Sequence, residues 1–286
     1  SFQIDTQTLN DLSVFGTGRT KTVYEIFNRV KTHGGTKLLE EMFRYPLSDM
    51  KAIQKRVDTI RYYGVNQMKF PFQPSLFDAV EFYLDNTDSR SQLMAQDNTL
   101  ERRIKSWIVS DSEYSWIHAG IVGCLELLNT LDDFLKQVKD EADENVVELN
   151  ATLETLLHNE KWNWFSSEKG KKKISFERAV EYDKVLRFEE NDRIHKILYQ
   201  IYQMDVYTSV AQVANECGFS YPKVCPTEQN ILNMKGVFHP FLAKPVSNTL
   251  SVNKDSNVIF LTGANMAGKS TFMKSISIAV YLAHMG

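Results

Sequence analysis

Residues 263–270 read Gly263-Ala264-Asn265-Met266-Ala267-Gly268-Lys269-Ser270. This Gly-x-x-x-x-Gly-Lys-Ser spacing is typical of a phosphate-binding loop, in which backbone N–H groups curve around phosphate oxygens. The preceding run, Val258-Ile259-Phe260-Leu261-Thr262, is mostly apolar and predicts a buried parallel strand, and a helix is predicted over 270–283. A strand, a glycine-bearing turn and a helix are the context that such a loop requires. The sequence therefore predicts a site for a nucleoside triphosphate, and we expect ATP.

Each part of the loop has a predicted role in holding the nucleotide. Gly263 and Gly268 let the backbone approach phosphate oxygens without a Cβ in the way, and the helix start adds unpaired N–H groups and a positive dipole end. Lys269 is expected to reach the β- and γ-phosphates, and the Ser270 hydroxyl to ligate Mg²⁺. The predicted nucleotide-contacting residues of the loop are Gly263, Ala264, Asn265, Met266, Ala267, Gly268, Lys269, Ser270 and Thr271.

Groups for hydrolysing the nucleotide are a separate requirement. Hydrolysis needs a second acidic residue for Mg²⁺ and a group that orients the attacking water. The residues after Lys269, from Ser270 to Gly286, contain no Asp or Glu. We therefore expect this chain to hold phosphates without turning over ATP, and we predict no catalytic residue in it.

The chain also begins with Ser1 rather than Met, which favours a fragment of a longer protein.

Upstream of the loop, the sequence predicts helices. Apolar residues recur three or four positions apart through most of the chain before Gly218. The predicted helical segments are 22–44, a helix capped by Ser48, 76–84, 116–157 as one helix or two broken near 140–145, and 176–214. Pro222 and Pro226 then indicate a linker, and short strands are predicted at 236–239 and 249–252. The predicted fold is therefore mainly α, with a long-helix domain over residues 1–225 followed by the beginning of an α/β domain over 226–286.

Composition narrows the class of protein. The 286 residues carry a net charge of −3, so any contact with nucleic acid must come from a local patch. The three cysteines are widely spaced and form no Cys-x-x-Cys pair, which fits a reducing compartment better than disulfides or zinc. No apolar run reaches the roughly 18 residues that would span a bilayer. We therefore expect no membrane contact.

The loop and its flanks resemble those of the MutS family of DNA mismatch-repair ATPases. Residues 262–273 read Thr-Gly-Ala-Asn-Met-Ala-Gly-Lys-Ser-Thr-Phe-Met, whereas the family's loop reads TGPNMGGKSTYMR. The Asn-Met pair and the Ser-Thr-aromatic-Met run are more specific than the general phosphate-loop pattern. Ala264 and Ala267 replace the family's Pro and Gly, and neither change removes a phosphate-binding group.

The resemblance continues through the upstream sequence in order. Gly236-Val237-Phe238-His239-Pro240 is similar to the family's GRHP strand, and Met204-Asp205-Val206 is similar to its LD motif at a helix exit. Residues 34–47 resemble its GGRLLRrWLlrPL segment, and residues 100–104, Leu-Glu-Arg-Arg-Ile, resemble its DLERl motif. The match therefore covers almost the whole chain.

The resemblance implies a helical core and lever region followed by the first part of a P-loop ATPase domain. It implies ATP and Mg²⁺ as cofactors, DNA as a partner, and a homodimer in which a second subunit completes each ATP site. It also places Asn248 near the adenine, where Phe241 would have to replace the family's stacking aromatic residue. The implied location is cytoplasmic and nucleoid-associated, and the implied function is DNA mismatch repair with lever helices that couple nucleotide state to DNA binding.

Two departures from the family leave alternatives open. The family's mismatch-reading domain, with its Phe-x-Glu motif, would lie before Ser1, and Phe2-Gln3-Ile4 does not match that motif. The stretch between Arg56 and Gly236 is also short for both lever helices and a full DNA-clamp insertion, so we expect a reduced or absent clamp. One alternative is a MutS-like ATPase that acts in recombination or on branched DNA without reading mismatches. Another is a dimerisation scaffold whose ATP site serves assembly.

A lysine cluster is the candidate DNA contact. Lys169, Lys171, Lys172 and Lys173 follow the aromatic residues Trp162, Trp164 and Phe165. Clustered lysines suit phosphate backbones, which favours a DNA contact at the tip of a helix hairpin. The alternative is a solvated turn whose aromatic residues pack into the core.

Overall fold

Helices form most of the described chain, as the three-and-four spacing predicts. A computed structural model describes residues 4–16, 21–94, 112–138, 143–171, 173–264 and 267–286. The chain divides into two compact units. The first unit comprises Ser1–Met68 with Asp205–Gly286, and the second comprises Lys69–Met204. These units are divided between residues 68 and 69 and between residues 204 and 205. They are compact units rather than domains, so the predicted domain boundary at residue 225 stays a prediction.

The first unit contains four N-terminal helices, a hairpin and the C-terminal helix. The helices are α1 (Thr6–Asp11), α2 (Val23–Phe27), α3 (His33–Arg44) and α4 (Met50–Val65). Asp49, rather than the predicted Ser48, caps α4, because its carboxylate accepts a hydrogen bond from the N–H of Ala52 at 2.7 Å. The expected apolar face of α4 is confirmed, with Ile53, Val57 and Ile60 buried.

Aromatic and aliphatic residues from both ends of the sequence form the core of the first unit. Phe43 lies at its centre and contacts the rings of Phe15, Tyr24, Phe27 and Tyr281 at centroid distances of 5.4–6.3 Å. The buried members of this core are Leu12, Val14, Val23, Phe27, Leu39, Met42, Phe43, Val206, Val213, Ile278, Tyr281 and Met285. The C-terminal residues therefore pack in the same core as α3.

The second unit is built from helices that were only partly predicted from the sequence. They are α5 (Ser75–Asp85), α6 (Ser112–Gln137), α7 (Glu144–Leu157) and α8 (Phe176–Asp183), and α8 is followed by a π-helical segment (Lys184–Glu189). Since α6 ends at Gln137 and α7 begins at Glu144, the described residues favour two helices over the single helix that was the alternative. Short 3₁₀ turns lie at Ser89–Ser91, Glu160–Trp162 and Phe165–Glu168.

The helix predicted over 176–214 is broken, which corrects the sequence-based expectation. After the π-helical segment, Glu190 leaves the helical conformation (φ −119°, ψ 14°), and its N–H donates to the carbonyl of Val185, five residues earlier. A 27-residue helix, α9 (Asn191–Cys217), then begins in the second unit and ends in the first. Asp183 and Arg187, four residues apart, pair inside the second unit as i, i+4 neighbours on a helix do, and apolar spacing does not encode such a polar contact.

Arg187 is the largest fully buried side chain of the described residues. Its guanidinium forms a bidentate pair with Asp183, with N···O distances of 2.9 and 2.8 Å. The remaining N–H groups donate to Asn86 O, Ser91 Oγ and Ser91 O, each at 2.9 Å. All five guanidinium donors are thus satisfied. The Asp183 carboxylate also accepts hydrogen bonds from Tyr83 Oη (2.9 Å) and the N–H of Leu93 (3.0 Å), so this network joins the 86–93 loop to the π-helical segment.

A two-stranded antiparallel hairpin in the first unit follows α9 and a 3₁₀ turn at Thr227–Gln229. Its strands are β1 (Leu232–Val237) and β2 (Asn248–Val252), and Leu232 pairs with Val252. The register shifts between Met234 and Val237, where Gly236 adopts φ +67°, a conformation that favours glycine. The strand predicted at 249–252 is confirmed, and the one predicted at 236–239 lies instead at 232–237.

The strand predicted at 258–262 is not formed, which corrects the expectation for the segment before the loop. These residues are irregular, and Val258 and Phe260 are 72% and 91% exposed. A parallel strand needs neighbouring strands for its backbone hydrogen bonds. Within the described part of the chain, β1 and β2 pair with each other and with no third strand.

Candidate functional site

The C-terminal helix begins at the lysine of the predicted phosphate loop. This helix, α10, comprises Lys269–Ala283 in the first unit, which confirms the helix predicted there. Gly268 caps it in a left-handed conformation (φ 87°), which glycine adopts without steric cost. Among the residues that the structure describes, no side chain caps the helix, and its first turn carries no acidic residue. The first backbone N–H groups of α10 are therefore compatible with an anionic ligand.

The backbone before the helix turns back on itself. The N–H of Ala267 donates to the carbonyl of Ala264 at 3.2 Å, and the N–H of Phe272 donates to that of Gly268 at 2.9 Å. Asn265 and Met266, which carry the most specific part of the resemblance, lie outside the described residues. The turn is thus described on both sides of that pair.

Lys269 points into the concave side of this turn. Its ammonium donates to the carbonyls of Gly263 and Ala264, and the Nζ···O distance to Ala264 is 2.7 Å. Both acceptors are neutral, whereas a phosphate oxygen is anionic and accepts a stronger, charge-assisted hydrogen bond. The ammonium is thus held by carbonyls of the loop itself, and a contact between Lys269 and a phosphate stays a prediction. Ser270 is exposed at the first turn of α10, with its hydroxyl accessible to a metal ion, and Thr271 follows it.

Asn248, the residue predicted near the adenine, and His239, from the segment that resembles the family's GRHP strand, belong to the hairpin region of the first unit. Asn248 begins β2, and its Nδ2 donates to the carbonyl of Val246 at 3.2 Å. Within the described residues no hydrogen bond joins Asn248 to the loop, so a contact with adenine stays a prediction. The His239 ring accepts a hydrogen bond from the N–H of Phe241 at 3.4 Å and packs on its ring. Burial lowers the pKa of His239, and the charge of Lys274 on α10 lowers it further.

The lysine cluster in the second unit takes part in ion pairs. Lys169 pairs with Asp133, and Lys171 contacts the buried carboxylate of Glu168 at 3.3 Å, which also pairs with Arg178. Lys173 is exposed, and Lys172 lies outside the described residues. The lysines of this cluster that the structure describes therefore face acidic neighbours as well as solvent.

The aromatic residues before the lysine cluster pack against one another. Trp164 stacks on Tyr182 with a centroid distance of 3.8 Å, and Trp162 stacks on Trp164 at 5.4 Å. Trp162 and Phe165 are only 2% and 5% exposed. Trp162 and Phe165 are therefore in the core and are not available as a stacking surface for bases, whereas Trp164 is half-buried against Tyr182.

The residues that hold α10 in place were not predicted from the sequence. Tyr281 and His284, at its C-terminal end, bond the backbone of residues 43–47. The only signal for them was a helical pattern that places Ile278, Tyr281 and Met285 on one face. In addition, no helix among the described residues is long and apolar enough to cross a membrane.

The described residues define a class of protein: a mainly helical chain whose last helix opens at a Gly-Lys-Ser-Thr sequence. The chain belongs to the MutS family, because the family described as MutS domain III matches residues 7–211. The resemblance seen in the motifs is thereby confirmed, although residues 100–104, which carry one of them, lie outside the described residues.

Curated relatives agree with this membership. A DNA mismatch repair protein MutS of Persephonella marina is 35% identical over 118 residues, which are 38% of this chain and 13% of that protein. Proteins of the same name from Petrotoga mobilis and Pseudothermotoga lettingae are 23% and 22% identical over 376 and 379 residues. Each of those two alignments includes 99% of this chain and 45% of the relative. The chain therefore spans less than half the length of these relatives.

Proposed function

We propose that this chain is the helical core and lever region, with the beginning of the ATPase domain, of a MutS-like protein in DNA mismatch repair. ATP with Mg²⁺ binds at the loop 263–271, and the parent protein is an ATPase that works as a homodimer on DNA. The lever helices couple the nucleotide state to the grip on DNA. Hydrolysis requires groups that this chain does not supply.

One observation carries the nucleotide site. Lys269 stands at the start of a helix with a free N-terminus, and its ammonium points back into the turn that contains Gly263 and Ala264. This arrangement occurs in a family member whose alignments with two relatives include 99% of the chain, and hence reach this loop. The described residues do not include a sheet that supports the loop, because residues 258–262 form no strand.

Replacing Lys269 with alanine tests the nucleotide site. We expect the affinity of the full-length protein for a non-hydrolysable ATP analogue with Mg²⁺ to fall at least tenfold, about 1.4 kcal/mol. The cause is loss of the charge-assisted bonds to the β- and γ-phosphates. Isothermal titration calorimetry measures the dissociation constant.

The matched control is Lys274→Ala, which removes an exposed lysine from the same helix outside the loop. This variant is expected to bind the analogue as the unaltered protein does. Equal binding by the Lys269→Ala protein would contradict the proposed site.

A second function is favoured by the alignment lengths. The Petrotoga mobilis alignment extends over 376 positions, 90 more than this chain has residues, so at least that many positions of the relative face gaps here. A gap of this size supports a reduced or absent DNA clamp. The alternative is thus a MutS-like ATPase that acts in recombination or on branched DNA without mismatch recognition.

Salt-dependent DNA binding tests both the lysine cluster and mismatch recognition. We expect Lys171→Ala/Lys172→Ala/Lys173→Ala to weaken binding of the full-length protein to matched and mismatched duplexes alike. The slope of log affinity against log salt should become shallower by up to about 3, about one for each lost phosphate contact. Fluorescence anisotropy at several salt concentrations measures both quantities.

The control Lys235→Ala/Lys244→Ala/Lys254→Ala removes the same charge from exposed positions of the first unit. An unchanged slope in the 171–173 variant would remove the lysine cluster from the DNA interface. Equal affinity of the unaltered protein for matched and mismatched duplexes would favour the second function.

A further inference from the structure

Helix α3 is held at both ends by hydrogen bonds from distant parts of the sequence. It has 12 residues and so is about 18 Å long. Its C-terminal end meets α10, the helix that begins at Lys269. Its N-terminal end meets the part of α9 that lies in the first unit. All of these contacts are within the first unit.

The C-terminal contact consists of hydrogen bonds to the turn between α3 and α4. Tyr281 Oη donates to the carbonyl of Phe43. The N–H of Leu47 donates to the carbonyl of His284 at 2.9 Å, and His284 Nδ1 lies 2.7 Å from the carbonyl of Leu47. Arg56 on α4 donates to the carbonyl of Met285 at 2.8 Å. The end of α10 is thus fixed by one main-chain hydrogen bond and by three contacts from side chains to main-chain carbonyls, and such bonds tolerate little displacement.

Apolar packing surrounds these bonds. Ile278, Tyr281 and Met285 are at most 5% exposed and pack in the core that includes Leu39 and Phe43. Burial raises the pKa of Tyr281 to about 12, so its hydroxyl keeps its proton and acts as a donor at neutral pH. Close packing of this kind transmits displacement between elements, because interiors have low compressibility.

The N-terminal contact centres on one buried carboxylate of α9. Asp205 is 2% exposed and accepts hydrogen bonds from the N–H of Lys31 (2.9 Å), the N–H of Thr32 (2.8 Å) and Thr32 Oγ1 (2.8 Å). Thr32 is itself the N-cap of α3, since its Oγ1 accepts from the N–H of Gly35 at 3.0 Å. Asp205 therefore holds the residue that starts the helix.

A second residue of α9 reinforces this contact. Ser209 Oγ donates to the carbonyl of Phe27 at 2.9 Å and accepts from the N–H of Arg29 at 3.1 Å. Arg29 also pairs with Glu216 further along α9. The segment 27–32 is thus bound along three turns of α9, and α3 follows from it without a break.

We propose that α3 is a strut that couples the nucleotide loop to α9, with Tyr281, His284 and Asp205 as its positioning residues. This inference rests on the proposed function for the nucleotide. The strut passes a shift of α10 to the segment 27–32 and so to the residues of α9 between Asp205 and Glu216. Because a coupling free energy between two sites is reciprocal, we expect a change at Asp205 to affect the α10 end as well.

The first test needs no nucleotide. Tyr281→Phe removes one hydroxyl at the C-terminal end of α3 and leaves the ring in the core. We expect amide hydrogen exchange at Lys31 and Thr32, at the opposite end, to become at least threefold faster in the full-length protein. Asp205→Asn should accelerate exchange at the Leu47 amide reciprocally. Mass spectrometry of peptides covering residues 29–36 and 45–50 measures both.

Two controls separate coupling from general loosening. Tyr221→Phe removes a buried hydroxyl that has no hydrogen-bond partner among the described residues, and it should change neither peptide. Ile53→Val lowers stability on α4 without removing a hydrogen bond from either end of α3, and it should accelerate exchange in α4 more than at residues 31 and 32. If Tyr281→Phe accelerates only the 45–50 peptide, or matches the Ile53→Val pattern, the strut is overturned.

The second test adds a non-hydrolysable ATP analogue with Mg²⁺. We expect the analogue to slow exchange at both Leu47 and Thr32 at least threefold, and the response at Thr32 to be lost in Asp205→Asn. Slowing confined to residues 263–271 would overturn the strut while leaving the nucleotide site intact. If no analogue binds, the proposed nucleotide site fails, and the nucleotide-free exchange still decides whether the two ends of α3 are coupled.

Discussion

Replacing Arg187 with alanine is expected to lower the free energy of unfolding of the second unit by about 3–5 kcal/mol. The change leaves the Asp183 carboxylate buried without its cation and leaves two carbonyls and a hydroxyl without their donor. An uncompensated buried charge is among the costliest single changes in a protein interior. The energy comes from breaking the network and is not the net contribution of the ion pair.

Tryptophan fluorescence during urea denaturation measures this effect selectively. All four tryptophans of the sequence, at positions 107, 116, 162 and 164, fall between residues 69 and 204, and the second unit spans that range. The control is Lys196→Ala, which removes a half-exposed cation from a pair with the equally exposed Glu148 and should cost at most about 1 kcal/mol. A similar small change in both variants would show that the Arg187 network does not stabilise the unit.

Replacing Asp205 with alanine is expected to lower the free energy of unfolding of the first unit by about 2–4 kcal/mol. The N–H groups of Lys31 and Thr32 and the Thr32 hydroxyl all lose their acceptor in a buried setting. Burial raises the pKa of Asp205, and the hydrogen bonds from Thr32 and Lys31 partly offset that rise. Removing the buried charge returns some free energy, so the loss is smaller than the sum of three orphaned donors.

Asparagine at position 205 should lower the free energy of unfolding less than alanine does, because its amide oxygen still accepts a hydrogen bond from Thr32. Some stability is still lost, because the amide nitrogen is a donor and faces another donor. Far-UV circular dichroism reports loss of helix in both units, and tryptophan fluorescence reports the second unit alone, so the first unit is followed as the change in circular dichroism that fluorescence does not share. The control Asp58→Ala removes a half-exposed carboxylate that pairs with Arg61, and it should change stability by less than about 1 kcal/mol. Equal costs for positions 58 and 205 would contradict the structural role of Asp205.

Local sequence signals predicted the helices that bury one face in the usual way. Ile53, Val57 and Ile60 lie three or four residues apart, and all three are buried on α4. The same reasoning failed over residues 176–214, because apolar spacing does not report the π-helical turns that end at Glu190. A pattern that scores apolar spacing does not register two charged residues that satisfy each other inside the core.

The position of the candidate site in the chain could be predicted from the sequence, and its three-dimensional surroundings only in part. The Gly-Lys-Ser-Thr motif located the start of α10 to within one residue. The strand at 258–262 was wrong, since strand formation depends on neighbours that periodicity does not report. Asp205 was recognised only as part of a motif, because its partners Lys31 and Thr32 lie more than 170 residues away in sequence. Pairs that distant are fixed by the fold and leave no local pattern.

The exposed run Val258-Ile259-Phe260-Leu261 affects how the chain behaves in solution. These four apolar residues are exposed, and no hydrogen bond of their backbone groups is found within the described part of the chain, so another copy of the same run can pair with them as a strand. Lys254 and Asp255 precede the run and carry opposite charges, so they give it little electrostatic protection. Purified material is therefore expected to self-associate as concentration rises, and a charged residue in place of Phe260 should delay turbidity without disturbing either helical core.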